Sequence, residues 1–209
     1  FKDVHLNLAK GDKVIVYAKD TRALSAFYEI IMGERKADKG KFNWGITTSQ
    51  AYLPLDHDHF FENPMSLVDW LRQYAKTKEE REEVFIRGFL GKMLFSGEEA
   101  LKNSNVLSGG EKVRCMLSKM MMERANVLLL EEPTNHLDLE SITAFNNSLN
   151  NYKGTILFST SDHAFAQTLG TRIIELTPSG VIDRHTTFDE YMTDGKIKEL
   201  RDKISNSVK

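Results

Sequence analysis

Leu107-Ser108-Gly109-Gly110-Glu111, followed seventeen residues later by Leu128-Leu129-Leu130-Glu131-Glu132-Pro133, decides the fold. A polar, glycine-bearing turn opens a helical stretch, and that stretch leads to an apolar strand ending in two carboxylates and a proline. Glycines let the backbone approach a polyphosphate closely, while a helix start presents unpaired N–H groups and the positive end of a dipole. A buried strand ending in acids delivers carboxylates to a divalent cation and an attacking water. The pair of stretches therefore predicts phosphate chemistry on an α/β scaffold.

These stretches resemble the signature and Walker B elements of the ATP-binding cassette (ABC) ATPases. The continuation Glu132-Pro133-Thr134-Asn135-His136-Leu137-Asp138 resembles the ABC-F branch, the translation-associated members of that superfamily. The resemblance runs from the strand before Gly11 to about Met192. It implies a P-loop NTPase-type α/β fold with a parallel core sheet, a helical signature subdomain and a small β-containing N-terminal subdomain. It also implies ATP and Mg2+ as cofactors, a second cassette in the same polypeptide, the ribosome as target, and a cytoplasmic location.

Outward from the motifs, composition sets bounds. A chain of 209 residues suffices for one well-buried domain, with 41% apolar and 28% charged residues. Lys plus Arg number 28 against 30 acids, so a net charge of −2 gives no global pull toward nucleic acid. The single Cys115 excludes an internal disulfide and suits a reducing cytosol; among Met116, Met120, Met121 and Met122 it reads as a packing thiol. No apolar run reaches the length of a membrane span, and the first residues lack a signal-peptide pattern. Phe1 opens directly onto an alternating run over 4–8, so the chain reads as excised from a larger polypeptide.

Periodicity predicts strands over 13–17, 41–44 and 51–53, and a helix over 23–32 stopped by Gly33. From about 65 to 102 the pattern turns helical. Leu67, Leu71 and Tyr74 share one face; Val84, Ile86, Phe89, Leu90 and Met93 form a broader apolar surface. Residues 65–105 thus read as a helical subdomain of a single domain over 1–209. Beyond the acids, helices over 141–149 and 162–169 alternate with strands over 155–158, 171–176 and 181–182. Helices then close the chain over about 187–209. Such alternation favours a parallel sheet with right-handed crossovers.

The resemblance aligns the phosphate-loop window G-x-x-x-x-G-K-[S/T] with Ala18-Lys19-Asp20-Thr21-Arg22-Ala23-Leu24-Ser25. Both glycine positions are alanine, the lysine position is Leu24, and only Ser25 keeps its type. A phosphate loop turns N–H groups inward at glycine and meets the β- and γ-phosphates with lysine. The glutamine position falls on Leu55, the Walker B aspartate on Glu131, and the switch histidine on Ser161, whereas the catalytic-base position keeps Glu132. His163, two positions late, reads as a solvated or capping residue; Lys19 and Arg22 read as solvated. Ser25 and Glu131 remain weak candidates for Mg2+. The chain's own nucleotide site thus reads as degenerate and the isolated domain as inactive.

The half that acts on a partner's nucleotide departs nowhere. By resemblance, Ser108 and the Gly109 and Gly110 amides meet the γ-phosphate of ATP bound by another cassette, flanked by Leu107 and Glu111. Asn135, His136, Leu137 and Asp138 form the D-loop, with Asp138 bracing the partner's phosphate loop. The expected identity is a C-terminal ABC-F cassette serving ATP hydrolysis at a composite site. Two alternatives stand beside it: a transporter's nucleotide-binding domain, and a structural or interaction domain that binds no ATP.

Overall fold

The computed structural model describes residues 1–206 and divides into two compact units. The first comprises Phe1–Pro54, Asn126–Pro133 and the chain from Lys153 onward. The second comprises Leu55–Ala125 and Thr134–Tyr152.

The first unit is built on one six-stranded sheet. In chain order its strands are β1 (Lys13–Ala18), β2 (Gln50–Leu53), β3 (Val127–Glu131), β4 (Thr155–Ser159), β5 (Arg172–Thr177) and β6 (Gly180–Arg184). The spatial order is β2-β3-β4-β1-β5-β6, and every pairing is parallel except the hairpin β5–β6. The antiparallel edge follows from the short Pro178–Ser179 connection, because parallel neighbours need a long crossover. Strands buried on both faces read as continuous apolar runs, as Val127–Glu131 and Thr155–Ser159 do. Helices α1 (Thr21–Met32), α6 (His163–Leu169), α7 (Phe188–Thr193) and α8 (Gly195–Asn206) belong to this unit. Leu24, Phe27 and Tyr28 of α1 pack with Val14, Val16, Leu129, Leu157 and Ile174 in its core.

Two expected strands do not form. Residues 4–8 and 41–44 carry no ladder, and β2 joins the main sheet, so no separate N-terminal β-subdomain exists among the described residues. The alternation over 4–8 is real but serves packing: Val4, Leu6, Leu8 and Trp44 lie half-buried against the core. Trp44 is further fixed by its indole N–H, which donates to the Ile31 carbonyl at 2.8 Å. Residues 207–209, part of the expected closing helices, lie outside the described residues.

The second unit is helical. It holds α2 (Leu67–Arg72), α3 (Glu83–Lys92), α4 (Gly109–Glu123) and α5 (Leu139–Asn150), with 3-10 turns over Glu79–Arg81, Gly97–Leu101 and Ser104–Val106. Between 65 and 102 the chain is broken into two short α-helices and two of these turns rather than one continuous helical run. Leu67, Trp70, Leu71, Ile86, Leu90, Met93 and Phe95 are buried, and Trp70 stacks on Phe61 at 4.8 Å between centroids. Val84 is 85% exposed and does not belong to this apolar surface. Cys115 is buried on α4, and burial pushes its thiol well above the usual range, as a packing residue requires.

Candidate functional site

In a parallel sheet the carboxyl ends of the strands share one edge, where open α/β folds bind ligands. Here that edge receives Ala18 from β1, Glu131 from β3 and Ser159 from β4. Strand β1 continues through Ala18, in register with Leu176, and α1 begins at Thr21. Only Lys19 and Asp20 separate the two elements, so the backbone makes a tight turn rather than a wrap around a polyphosphate. Ala23, Leu24 and Ser25 lie inside α1. Leu24 is 6% exposed and belongs to the core, so its side chain is directed away from solvent.

Two amides at the start of α1, those of Arg22 and Ala23, are satisfied by Asp20. Asp20 caps the helix, its Oδ1 accepting from the Arg22 amide at 3.0 Å and from Arg22 Nε at 3.0 Å. Arg22 Nη2 donates to Oδ2 at 2.8 Å, which ties the guanidinium to the cap. Hydrogen bonds from Arg22 hold the Asp20 carboxyl below its usual range. Lys19 is exposed, as expected of a solvated side chain.

Glu131 is 4% exposed and central to a buried polar cluster. The Ser25 hydroxyl donates to its Oε1, and the Tyr52 hydroxyl donates to its Oε2 at 3.0 Å. Tyr52 stacks on Tyr28, whose ring centroid lies 6.0 Å away. Burial, then the Glu131 charge, pushes the Tyr52 phenol far above its ordinary value, so it stays a donor. The Tyr28 hydroxyl and Ser159 Oγ are also buried, and burial pushes the Tyr28 phenol far above its ordinary value as well. Glu132 adopts a left-handed backbone at φ +47°, uncommon for a residue with a Cβ. Its Oε2 accepts from the Ser161 amide at 2.9 Å and hydroxyl at 3.0 Å.

Magnesium–triphosphate does not fit this half. Ser25 and Glu131 supply oxygens for a cation, but the phosphate side is a capped helix start, two alanines and a core leucine, and Tyr52 already uses the second Glu131 oxygen. His163 is the first residue of α6, whose cap is Asp162; its Nε2 lies 2.6 Å from Asp189 Oδ1. Leu55, at the glutamine position, belongs to the second unit and is 48% exposed.

The second unit brings signature and D-loop residues together. Leu107 is buried, and Ser108 caps the fifteen-residue helix α4. Ser108 and Glu111 form a capping box: Ser108 Oγ accepts from the Glu111 amide at 3.3 Å, and Glu111 Oε2 accepts from the Ser108 amide at 2.9 Å. Burial alone would raise the Glu111 carboxyl, but the Lys102 ammonium and the Ser108 amide bring it below the usual range. The amides of Gly109 and Gly110 donate to no described residue, and Ser108 and Gly109 are exposed. Gly110 packs on the turn Asn135–Leu137: a Cβ there would lie 2.3 Å from the His136 carbonyl oxygen. His136 is itself left-handed at φ +64°. Asp138 caps α5, accepting from the Ser141 amide at 2.7 Å, and those Ser141 bonds lower its pKa.

Sequence reasoning missed Asp20, Tyr28 and Tyr52. Asp20 had a legible signal, an acid just before a periodic apolar run. The tyrosines had none, because phenols in apolar segments read as core.

A parallel sheet with acids at its carboxyl edge, and a helical unit opening on a glycine-rich helix start with two free amides, define an ATP-binding cassette. Residues 1–135 match the ABC transporter family, and the chain belongs to it. It is 52% identical over 198 residues to the "Uncharacterized ABC transporter ATP-binding protein YkpA" of Bacillus subtilis (strain 168), covering 94% of this chain and 36% of that protein. It is 29% identical over 207 residues to "ABC transporter F family member 5" of Arabidopsis thaliana, covering 96% of this chain and 29% of that one. The chain therefore spans about a third of the length of the curated relatives it matches. Among solved structures, the dimeric bacterial ABC transporter cassette MJ0796 superposes with a TM-score of 0.71 at 19% identity, covering 88% of this chain and 89% of that one. An archaeal ribosome recycling factor, aABCE1, solved with ribosomal stalk protein aP1, superposes at 0.70 with 18% identity, over 93% of this chain and 43% of that one. At such identities the likeness shows the fold. No helix among the described residues is long and apolar enough to cross a membrane.

Proposed function

We propose that this chain is the second, C-terminal cassette of a cytoplasmic ABC-F protein, a single domain over 1–209. In this reading it serves ATP hydrolysis to ADP and phosphate at a composite site. The phosphate loop of that site belongs to a partner cassette in the same polypeptide, and the assembly acts on the ribosome in translation. The observation that carries the reading is the contrast between two helix starts. At the α1 start Asp20 takes the Arg22 and Ala23 amides, whereas at the α4 start Ser108 takes only the Glu111 amide and the Gly109 and Gly110 amides keep no partner among the described residues. Two such amides and a dipole end favour an anion. Ser108 and these amides would meet the γ-phosphate of ATP held, with Mg2+, by the partner cassette; Asn135 to Asp138 would brace the partner's loop. Glu132, occupied by Ser161, is idle. Relatives named for the F family and a ribosome-associated structural neighbour support the translational assignment.

Steady-state ATPase of the full-length protein tests this. Ser108→Arg places a bulky cation where the partner's phosphate must sit and is expected to abolish most turnover. Leu24→Ala opens a core cavity and should lower stability by about 2–5 kcal/mol, yet it is expected to leave the turnover per folded molecule nearly unchanged. Equal losses in the two variants would refute the asymmetric assignment.

One observation favours a second reading, a structural domain without ATP. Leu107, Ser108, Gly110, Glu111 and Asp138 each have a job inside this chain as core anchor, caps or close-packed backbone. Full activity of Ser108→Arg would select that reading.

A further inference from the structure

Three carboxylates stand around the place where a cassette of this family would hold its own nucleotide, and the chain satisfies all three itself. Asp20 takes the Arg22 amide and guanidinium at the start of α1. Glu131 takes Ser25 on one oxygen and Tyr52 on the other. Glu132 takes both donors of Ser161.

We infer that Asp20 is a built-in substitute for phosphate: its carboxylate occupies the α1 amide that an anionic ligand would need, and so keeps this half folded and nucleotide-free. The inference rests on the degenerate-site reading above and adds what replaced the ligand. A helix start attracts an anion because its first amides lack intrahelical partners. The carboxylate oxygen at 3.0 Å from the Arg22 amide meets that demand from within. A second anion brought to the same amide would face the Asp20 charge and would have to displace its hydrogen bond. Arg22, the one cation inside α1 near this start, meets Asp20 in a two-point pair whose side chains face solvent.

Glu131 supports the same conclusion independently, on a different element. Tyr52 comes from β2 and Ser25 from α1, so the carboxylate links both to β3. That bridge ties the three elements together through the chain's own hydroxyls. Glutamate suits it, since its extra methylene gives reach to two hydroxyls on separate elements.

Amide NMR of the 209-residue chain tests the inference, with pyrophosphate as the probe. In the native chain the Arg22 and Ala23 resonances are expected to stay still over a millimolar titration. In Asp20→Ala the same resonances are expected to move in a saturable way, because the freed amide takes the added anion. The response of the native chain should be weaker by about tenfold or more, the equivalent of ~1.4 kcal/mol. Movement of Arg22 in the native chain would overturn the inference, as would an unresponsive Asp20→Ala chain whose spectrum remains folded. Should Asp20→Ala lose dispersion, Asp20→Gly, which a helix start tolerates and which carries no capping oxygen, takes its place under the same criteria. Neither result touches the Ser108→Arg comparison, so the composite-site reading and this inference fail separately. A second arm uses Mn2+ electron paramagnetic resonance: no bound signal is expected for the native chain. A bound fraction removed by Glu131→Gln would overturn the metal-free account of this half.

Discussion

A Cβ on Gly110 would stand 2.3 Å from the His136 carbonyl oxygen, far inside any real contact, whereas one on Gly109 would meet the His136 ring at 3.3 Å. The two signature glycines therefore answer to different demands. Gly110 is required by the packing of α4 on the turn before α5, and backbone on both sides gives it little freedom to relax. Gly110→Ala is expected to destabilise the chain by about 1–3 kcal/mol or more, the range of overpacked interiors, measured by urea denaturation. Gly109→Ala needs only a few tenths of an ångström from a side chain and gains helix propensity of about 1 kcal/mol, so its stability should change little. On the composite-site proposal its effect is expected in turnover instead, because the added methyl group would approach the partner's phosphate. An ATPase loss in Gly109→Ala with unchanged stability supports the phosphate role; unchanged turnover removes it. The glycine-bearing helix start was legible in the sequence, but its duties inside the chain were not, because a capping box and the phosphate-binding turn proposed here use the same residues.

At the level of elements, the strand–helix alternation after residue 126 was legible because each segment is long, apolar and bounded by turns. The runs at 4–8 and 41–44 alternate like strands without becoming strands: alternation reports a half-buried extended chain, and whether a neighbour completes the ladder depends on tertiary contacts. Val84 departs from expectation for a related reason: it opens the run Val84-Phe85-Ile86 at the start of α3, and three consecutive helical residues cannot all face one side, so Ile86 is buried and Val84 is not. Nor did any sequence pattern announce the closing clasp of the first unit. Glu175, 2% exposed in the middle of β5, accepts from Arg201 of α8 at 2.8 Å and from the Tyr191 hydroxyl of α7. Truncating it leaves the guanidinium and the phenol without their shared acceptor in a largely dry setting. Glu175→Ala should cost about 3–5 kcal/mol, as breaking one side of a buried pair does. It should also raise amide exchange first in α7 and α8. A Tm within a degree of the native value would show that these helices are held by apolar packing alone.

Across the whole molecule, the two units divide the family's machinery. Ala18, Asp20, Leu24, Ser25, Glu131, Glu132 and Ser161 belong to the first, and the signature and D-loop residues to the second. On the reading proposed above, the departures from the family's motifs fall in the first unit and the motifs without departures in the second, a division that uniform drift would not produce. Net charge of −2 supplies no general attraction to a nucleic-acid surface, so binding to a ribosome would draw on particular residues or on another domain. The division also sets what the chain does alone. Loss of the charged lysine contact removes about 1.5–3 kcal/mol, one to two powers of ten in affinity. The alanines at 18 and 23 and the Asp20 cap add steric and electrostatic obstacles to the same ligand. Calorimetry of the 209-residue chain with Mg2+ and ATP is therefore expected to give no saturable heat at micromolar concentrations. The signature half cannot compensate, because by this reading it meets a nucleotide only after another cassette has bound it. A sub-micromolar Kd for the chain alone would show that the β1–α1 turn reopens around a triphosphate and that its own site is in use.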